Sequence, residues 1–211
     1  TGPITPRGAV GLSSTGLITG AGLITAGSLS FDAAGTINVN GNANLDYSNS
    51  RGNLTVNATG NIAMRNGWRL NGHALNLVSS TGSITQSGDA IYYGGTLNAT
   101  AAGNVDFGGQ TNHIDSFHGT SVAGDISVKS AGSLSFAVDT LGNATVDAGG
   151  AAIAGASIHA GTLGIRAGNY IDLNQSVLEV GSYSYLTSTG SGVSINTDST
   201  INIGGNISVA S

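Results

Sequence analysis

The stretch Gly103-Asn104-Val105-Asp106-Phe107 places a glycine before apolar residues that alternate with small polar ones. The same motif, Gly-x-apolar-x-apolar, recurs at 52–56, 60–64, 124–128 and 132–136, and with a final glutamine at 82–86. Alternation with a period of two behind a glycine turn is typical of a short strand with one buried face and one solvated face. The sequence therefore predicts a chain of short strands.

The spacing of the motifs predicts how these strands assemble. One apolar series recurs at about 21 residues and consists of Ile62, Ile84, Val105 and Ile126. A second series runs eight or nine residues ahead of the first and consists of Leu54, Leu75, Leu97 and Phe117. A fixed period between about 20 and 50 residues is the signature of a solenoid.

The longer gap in each period predicts a third strand, at Leu70 and Ile91. Three strands per period, without a helical pattern, predict an all-β fold: a parallel, right-handed β-helix of roughly ten coils, about 50 Å long. Beyond Phe136 the period shortens to about 18 residues, and the predicted inward positions are Ala144, Ile153, Leu163 and Ile171. We expect a single domain over 1–211, with a less regular amino-terminal part at 1–26.

Composition favours an ordered, elongated protein. The chain has 35 glycines in 211 residues and only 8% charged residues, against about 25% in an average protein. Its net charge of -5 and six cationic residues argue against binding to nucleic acid or to an anionic membrane. Without cysteine there are no disulfides or thiolate metal sites, so the core and the backbone ladder must supply the stability.

The two ends of the chain support further expectations. The first seven residues lack the regions of a signal peptide, and no apolar run approaches about 18 residues, so membrane insertion is not expected. The chain is interpreted as a piece of a larger protein. The apolar stretch at 201–209 carries no charge or proline, whereas Pro3, Pro6 and Arg7 protect the amino end. Residues 201–209 are therefore predicted to pair with a following coil or with another copy, head to tail.

The repeats at 82–86, 95–99, 103–107 and 124–128, with the intervening Asn112-His113-Ile114, resemble those of filamentous haemagglutinin-type exoproteins. These are large adhesins that bacteria export by two-partner secretion. The resemblance covers most of the chain from about Gly27 onward. It implies a secreted or cell-surface location, an outer-membrane transporter as the export partner, and a host-cell, glycan or bacterial surface component as the binding partner. The family's secretion domain carries Asn-Pro motifs, which are absent here, so the resemblance implies an internal shaft segment.

The densest group of reactive side chains is the stretch 112–118, which contains His113, Asp115 and His118. His113 and Asp115 would share one face of an extended strand, as a metal pair or an acid–base patch would require. We favour the simpler interpretation, in which Ile114 and Phe117 fill the core and the polar residues lie on a turn.

The second candidate site is the stretch 65–69, which joins the only tryptophan to two cations. Exposed Trp68, flanked by Arg65 and Arg69, would form a stacking surface for a sugar or a protein partner. The alternative, which we favour, is a tryptophan packed at a coil corner and covered by arginine.

No cofactor, metal site or catalytic residue is predicted. The Asn-x-Ser/Thr triplets follow from the turn composition, and the glycine pairs do not match the calcium-binding β-roll motif. Asp106 and Asp125 differ in phase, which argues against a row of catalytic carboxylates. The first functional hypothesis is thus a non-catalytic adhesin shaft. The alternatives are a subunit of a head-to-tail filament and a fragment of a carbohydrate-active β-helix enzyme.

Overall fold

The computed structural model describes residues 9–24, 28–39, 43–45, 48–65, 67–87, 91–92, 94–174, 177–195 and 201–210. These residues form 21 strands and no helix. The strands are β1 (Ala9–Ile24), β2 (Ser28–Val39), β3 (Ala43–Leu45), β4 (Ser48–Ala58), β5 (Ile62–Met64), β6 (Trp68–Arg69), β7 (Ala74–Ser79), β8 (Ile84–Gln86), β9 (Ile91–Tyr92), β10 (Thr96–Ala101), β11 (Val105–Asn112), β12 (Ser116–Ser121), β13 (Ile126–Ser130), β14 (Leu134–Thr140), β15 (Asn143–Ala148), β16 (Ala152–Ala167), β17 (Tyr170–Asp172), β18 (Val177–Ser188), β19 (Gly192–Ser194), β20 (Ile201–Ile203) and β21 (Ile207–Ala210).

The strand pairings described are parallel and join successive turns, which makes the chain a β-solenoid of about eight turns. This confirms the predicted all-β solenoid. The first face stacks β2, β4, β7, β10, β12 and β14, followed by parts of β16 and β18 and then β20. The second face stacks β3, β5, β8, β11, β13 and β15, followed by the later halves of β16 and β18 and then β21.

The predicted register is correct on both faces. Leu54, Leu75, Leu97 and Phe117 pair in sequence, as do Ile62, Ile84, Val105 and Ile126. All eight side chains are buried. Parallel stacking explains this arrangement, because it places residues of equal phase above one another.

The third face stacks the start of β4 with β6 and β9 and, in the later turns, the start of β14 with the start of β16, β17 and β19. It differs in detail from the prediction. The strand partner of Ile91 is Trp68, whereas Leu70 is buried just after strand β6 ends. In the later turns Ala152 occupies the inward position between Leu134 and Ile171. Ile153 was expected to point inward, but it is only partly buried because it follows Ala152 by one residue.

The amino-terminal strand β1 belongs to the same ladder. It pairs with β2 in parallel, with two shifts of register along its length. Residues 1–8 and 25–27 lie outside the described residues. Within the described part of the chain, no helix is long and apolar enough to cross a membrane.

The core is a continuous apolar column between the three faces. Phe107 of the second face meets Phe117 of the first in an edge-to-face contact, with ring centroids 6.2 Å apart. Asn112 is a fully buried polar residue in this column. Its amide group exchanges two hydrogen bonds of 2.9 Å with Gln86, and its Oδ1 also accepts the Ile91 N–H at 2.8 Å. The side-chain amide of Asn112, buried at the bulged end of β11, is thus satisfied by hydrogen bonds.

Candidate functional site

The corner that leads into the second face carries a ladder of hydrogen bonds between side chain and backbone. Asn61 Oδ1 accepts the Ser83 N–H at 2.8 Å, and Ser83 Oγ accepts the Asn104 N–H at 3.0 Å. One and two turns later, Asn104 Oδ1 accepts the Asp125 N–H at 2.9 Å, and Asp125 Oδ1 accepts the Asn143 N–H at 2.7 Å. Each polar residue therefore ties its own turn to the next.

This ladder explains two glycines of the repeated motif, Gly82 and Gly124. A Cβ on Gly124 would contact Asn104 Oδ1 and lie 2.5 Å from the Asn104 backbone nitrogen. A Cβ on Gly82 would likewise lie 2.7 Å from the Asn61 nitrogen. Because real Cβ atoms do not approach so closely, coil stacking requires glycine at positions 82 and 124, and the residue after each glycine supplies the ladder oxygen.

Buried hydroxyls reinforce the same corner from inside. Ser79 Oγ donates to the Gly60 carbonyl at 2.8 Å and accepts the Gly82 N–H at 3.1 Å. Two turns later Ser121 does the same, with the Gly103 carbonyl at 2.8 Å and the Gly124 N–H at 2.9 Å. Paired in this way, the hydroxyls satisfy backbone groups that the tight corner would otherwise leave without partners.

Amide side chains form a further ladder on the solvated side of the first face. Asn98 Nδ2 donates to Asn76 Oδ1 at 2.6 Å, and Asn76 Nδ2 donates to Thr55 Oγ1 at 3.1 Å. Asn98 and Asn53 each begin an Asn-x-Ser/Thr triplet, and Asn53 Oδ1 accepts the Ala74 N–H at 2.9 Å. These asparagines thus have structural roles between turns.

The predicted stacking surface around the tryptophan is not formed. Trp68 is fully buried and pairs in register with Ile91, so an exposed Trp68 was the wrong interpretation. Arg65 and Arg69 are exposed on either side of it, and Asn66 lies outside the described residues. The indole therefore contributes packing at the coil corner, as the alternative interpretation held.

His113 and Asp115 are brought together. Both are exposed and alternate with buried Ile114, and they line a surface groove of about 580 Å³ that also includes Gly94. His118 is exposed on β12, beside Asn98 in the adjacent turn, and does not line this groove. The groove therefore contains one imidazole and one carboxylate.

The two aspartates considered for catalysis are both exposed, but they do not pair with each other in the register. Asp106 pairs with Ser127 on the outer side of the second face, whereas Asp125 lies in the corner ladder. Across the described residues, no three His, Cys, Asp or Glu side chains are arranged to hold a metal ion.

A different row of ionisable residues was missed in the sequence. Asp139, His159 and Glu179 pair in register on three successive turns of the first face. His159 Nδ1 lies 2.9 Å from Asp139 Oδ1, and both side chains are about half exposed or more. Their spacing of 20 residues, each directly after a buried apolar residue, was the available signal. The row is therefore an open surface feature in which His159 and Asp139 are joined by a hydrogen bond, and it is not an enclosed site.

Comparison with known proteins identifies a repeat region. Residues 52–121 match a family described as "Repeats of unknown function" (DUF5649). No curated protein and no solved structure matches the chain. The matched segment holds the turns in which the ladder from Asn61 to Asn104 is most regular.

Proposed function

We propose that this chain is a non-catalytic shaft segment of a bacterial secreted or cell-surface adhesin. The observation that carries the proposal is the corner ladder, in which the repeated polar side chains bond to the neighbouring turn. Polar groups used in this way stiffen a rod. The family resemblance and the low charge are consistent with a role outside the cell.

The second candidate is a subunit of a head-to-tail filament, and it is favoured by the last described strand. Val209 pairs with buried Leu186 and so continues the inward column, yet it is 55% exposed. Ile207, in the same strand, is 43% exposed. A core column that ends in exposed apolar side chains is a surface on which another coil could stack.

The shaft proposal is tested in the producing bacterium by antibody labelling and by an attachment assay. A spacer tolerates the loss of one turn, so the deletion variant lacks residues 63–84 and joins Ile62 to Thr85, which preserves the register of the core. We expect labelling of intact cells, loss of attachment when the gene is removed, and substantial restoration of attachment by the shortened chain. An Ile84→Asp chain serves as the unfolded control.

Two results would contradict the proposal. One is labelling only after the cells are permeabilised, which would place the chain inside. The other is release of reducing ends from polysaccharide by the purified chain, if that activity disappears in Asp106→Asn, Asp115→Asn or Asp139→Asn variants. The filament would be favoured instead by two results together. Light scattering would show particles of the purified chain that grow as its concentration rises, and attachment would depend on this assembly.

A further inference from the structure

The second face carries a shallow trough near its carboxy-terminal end. Its volume is about 490 Å³, and it runs across the turns that contain β13, β15, β16 and β18. We propose that this trough binds an uncharged oligosaccharide chain. The inference goes beyond the shaft role and does not depend on it.

Two tyrosines close one end of the trough. Tyr183 and Tyr185 are two residues apart on β18, so both point to the same side, and they are 43% and 46% exposed. A tyrosine ring joins a broad apolar face to a polar hydroxyl and loses little conformational entropy on binding. Side by side, the two rings offer a stacking surface for the C–H face of a sugar.

The floor of the trough consists of small residues. Tyr185 pairs with Gly164, Gly164 with Thr145, and Thr145 with Ser127, in one outward row over four turns. A Cβ on Gly164 would meet no atom closer than 3.9 Å, and its backbone is not in the left-handed region. Packing therefore does not require glycine at 164. Its effect is to leave a depression beside the Tyr185 ring.

One wall of the trough presents oriented hydrogen-bonding groups. Asn143 Nδ2 donates to Asp125 Oδ1 at 3.1 Å, and Thr162 Oγ1 donates to Asn143 Oδ1. The backbone N–H of Asn143 bonds to the same Asp125 Oδ1, which leaves Oδ2 for a ligand hydroxyl. This amide and carboxylate pair is fixed before binding, so little ordering is needed when a polyol binds.

The charges around the trough favour an uncharged ligand. Asp125 is the one acidic residue of the lining, which contains no Lys, Arg or His. Beside the floor, Lys129, Asp147 and Arg166 alternate in sign on successive turns. Because the signs alternate, the electrostatic potential along this surface would attract neither a polyanion nor a polycation over its whole length. Groups repeated at about 4.8 Å along the axis suit a linear chain of sugar rings.

The test uses the fluorescently labelled chain on an array of immobilised oligosaccharides that includes neutral, acidic and basic members. The first variant, Gly164→Thr, fills the depression with a side chain that a strand accepts, and the second, Tyr185→Ser, removes one ring. The matched control is Gly109→Thr, because a Cβ at Gly109 on β11 meets nothing within 4 Å. Thermal unfolding verifies that each variant is folded.

We expect the unchanged chain and Gly109→Thr to bind the same neutral oligosaccharides, with little dependence on salt. Both trough variants should bind these at least about fivefold more weakly. The proposal is overturned if no neutral oligosaccharide is bound, if Gly164→Thr binds as the control does, or if binding is confined to charged glycans. Dimers that form without glycan and dissociate on the Tyr185→Ser change would instead assign the trough to a second copy of the chain.

Discussion

The Ile84→Asp substitution is expected to prevent folding. Ile84 is fully buried between Ile62 and Val105 on the second face, among the apolar side chains of the core. A carboxylate there would be desolvated without a partner, which costs several kcal/mol. This cost is a large share of the free energy of unfolding of a typical domain. Circular dichroism and urea unfolding would measure the effect.

The matched control for this substitution is His118→Asp, which adds the same carboxylate at an exposed position next to buried Phe117. We expect the control to unfold within about 0.5 kcal/mol of the unchanged protein. If Ile84→Asp retained the unfolding midpoint of His118→Asp, the inward register of the second face would be wrong.

A single methyl group at the corner is expected to have the second-largest effect. In Gly124→Ala the new Cβ would meet both the side chain and the backbone nitrogen of Asn104, so two turns must move apart. Overpacking of this kind costs about 1–3 kcal/mol, and separation of the turns would also weaken the hydrogen bond between Asn104 and Asp125. The free energy of unfolding in urea is the quantity to compare.

Gly132→Ala is the control for the corner, because a Cβ at this position meets nothing within 4 Å and the backbone is not left-handed. It should be neutral or slightly stabilising, since alanine restricts the unfolded chain. Equal losses at Gly124 and Gly132 would mean that the glycines serve only as flexible turns and that the ladder does not demand them.

The sequence predicted the fold well because a solenoid repeats one local rule. Burial alternates along each strand and returns at the same phase in the next turn, so Ile62 and Ile84 reveal their pairing through spacing alone. The prediction failed where that rule is locally shifted. Ile153 has the expected residue type, but buried Leu134 pairs with Ala152, so the inward phase falls on Ala152 and Ile153 pairs with outward Ser135.

The surface was less predictable, because outward residues are free of the core pattern. Trp68 attracted attention as a rare residue with charged neighbours, yet aromatic bulk placed it in the core. Asp139, His159 and Glu179 are 20 residues apart and form no local motif, but a solenoid brings residues one period apart together. The trough needed the structure for the same reason: Gly164 and Tyr185 meet only through the register.

The central claim is that successive turns stack in the stated register, and cysteine cross-linking tests it most directly. The chain has no cysteine of its own that would interfere. Asn76 pairs with Asn98, and Asn98 pairs with His118 one turn further on. Adjacent parallel strands lie about 4.8 Å apart, within the range of a disulfide, whereas two turns span roughly 9.6 Å and lie outside it. Mild oxidation should therefore cross-link Asn76→Cys/Asn98→Cys within one chain and leave Asn76→Cys/His118→Cys reduced. A reduced first pair, or a second pair that cross-links as readily, would contradict the solenoid register.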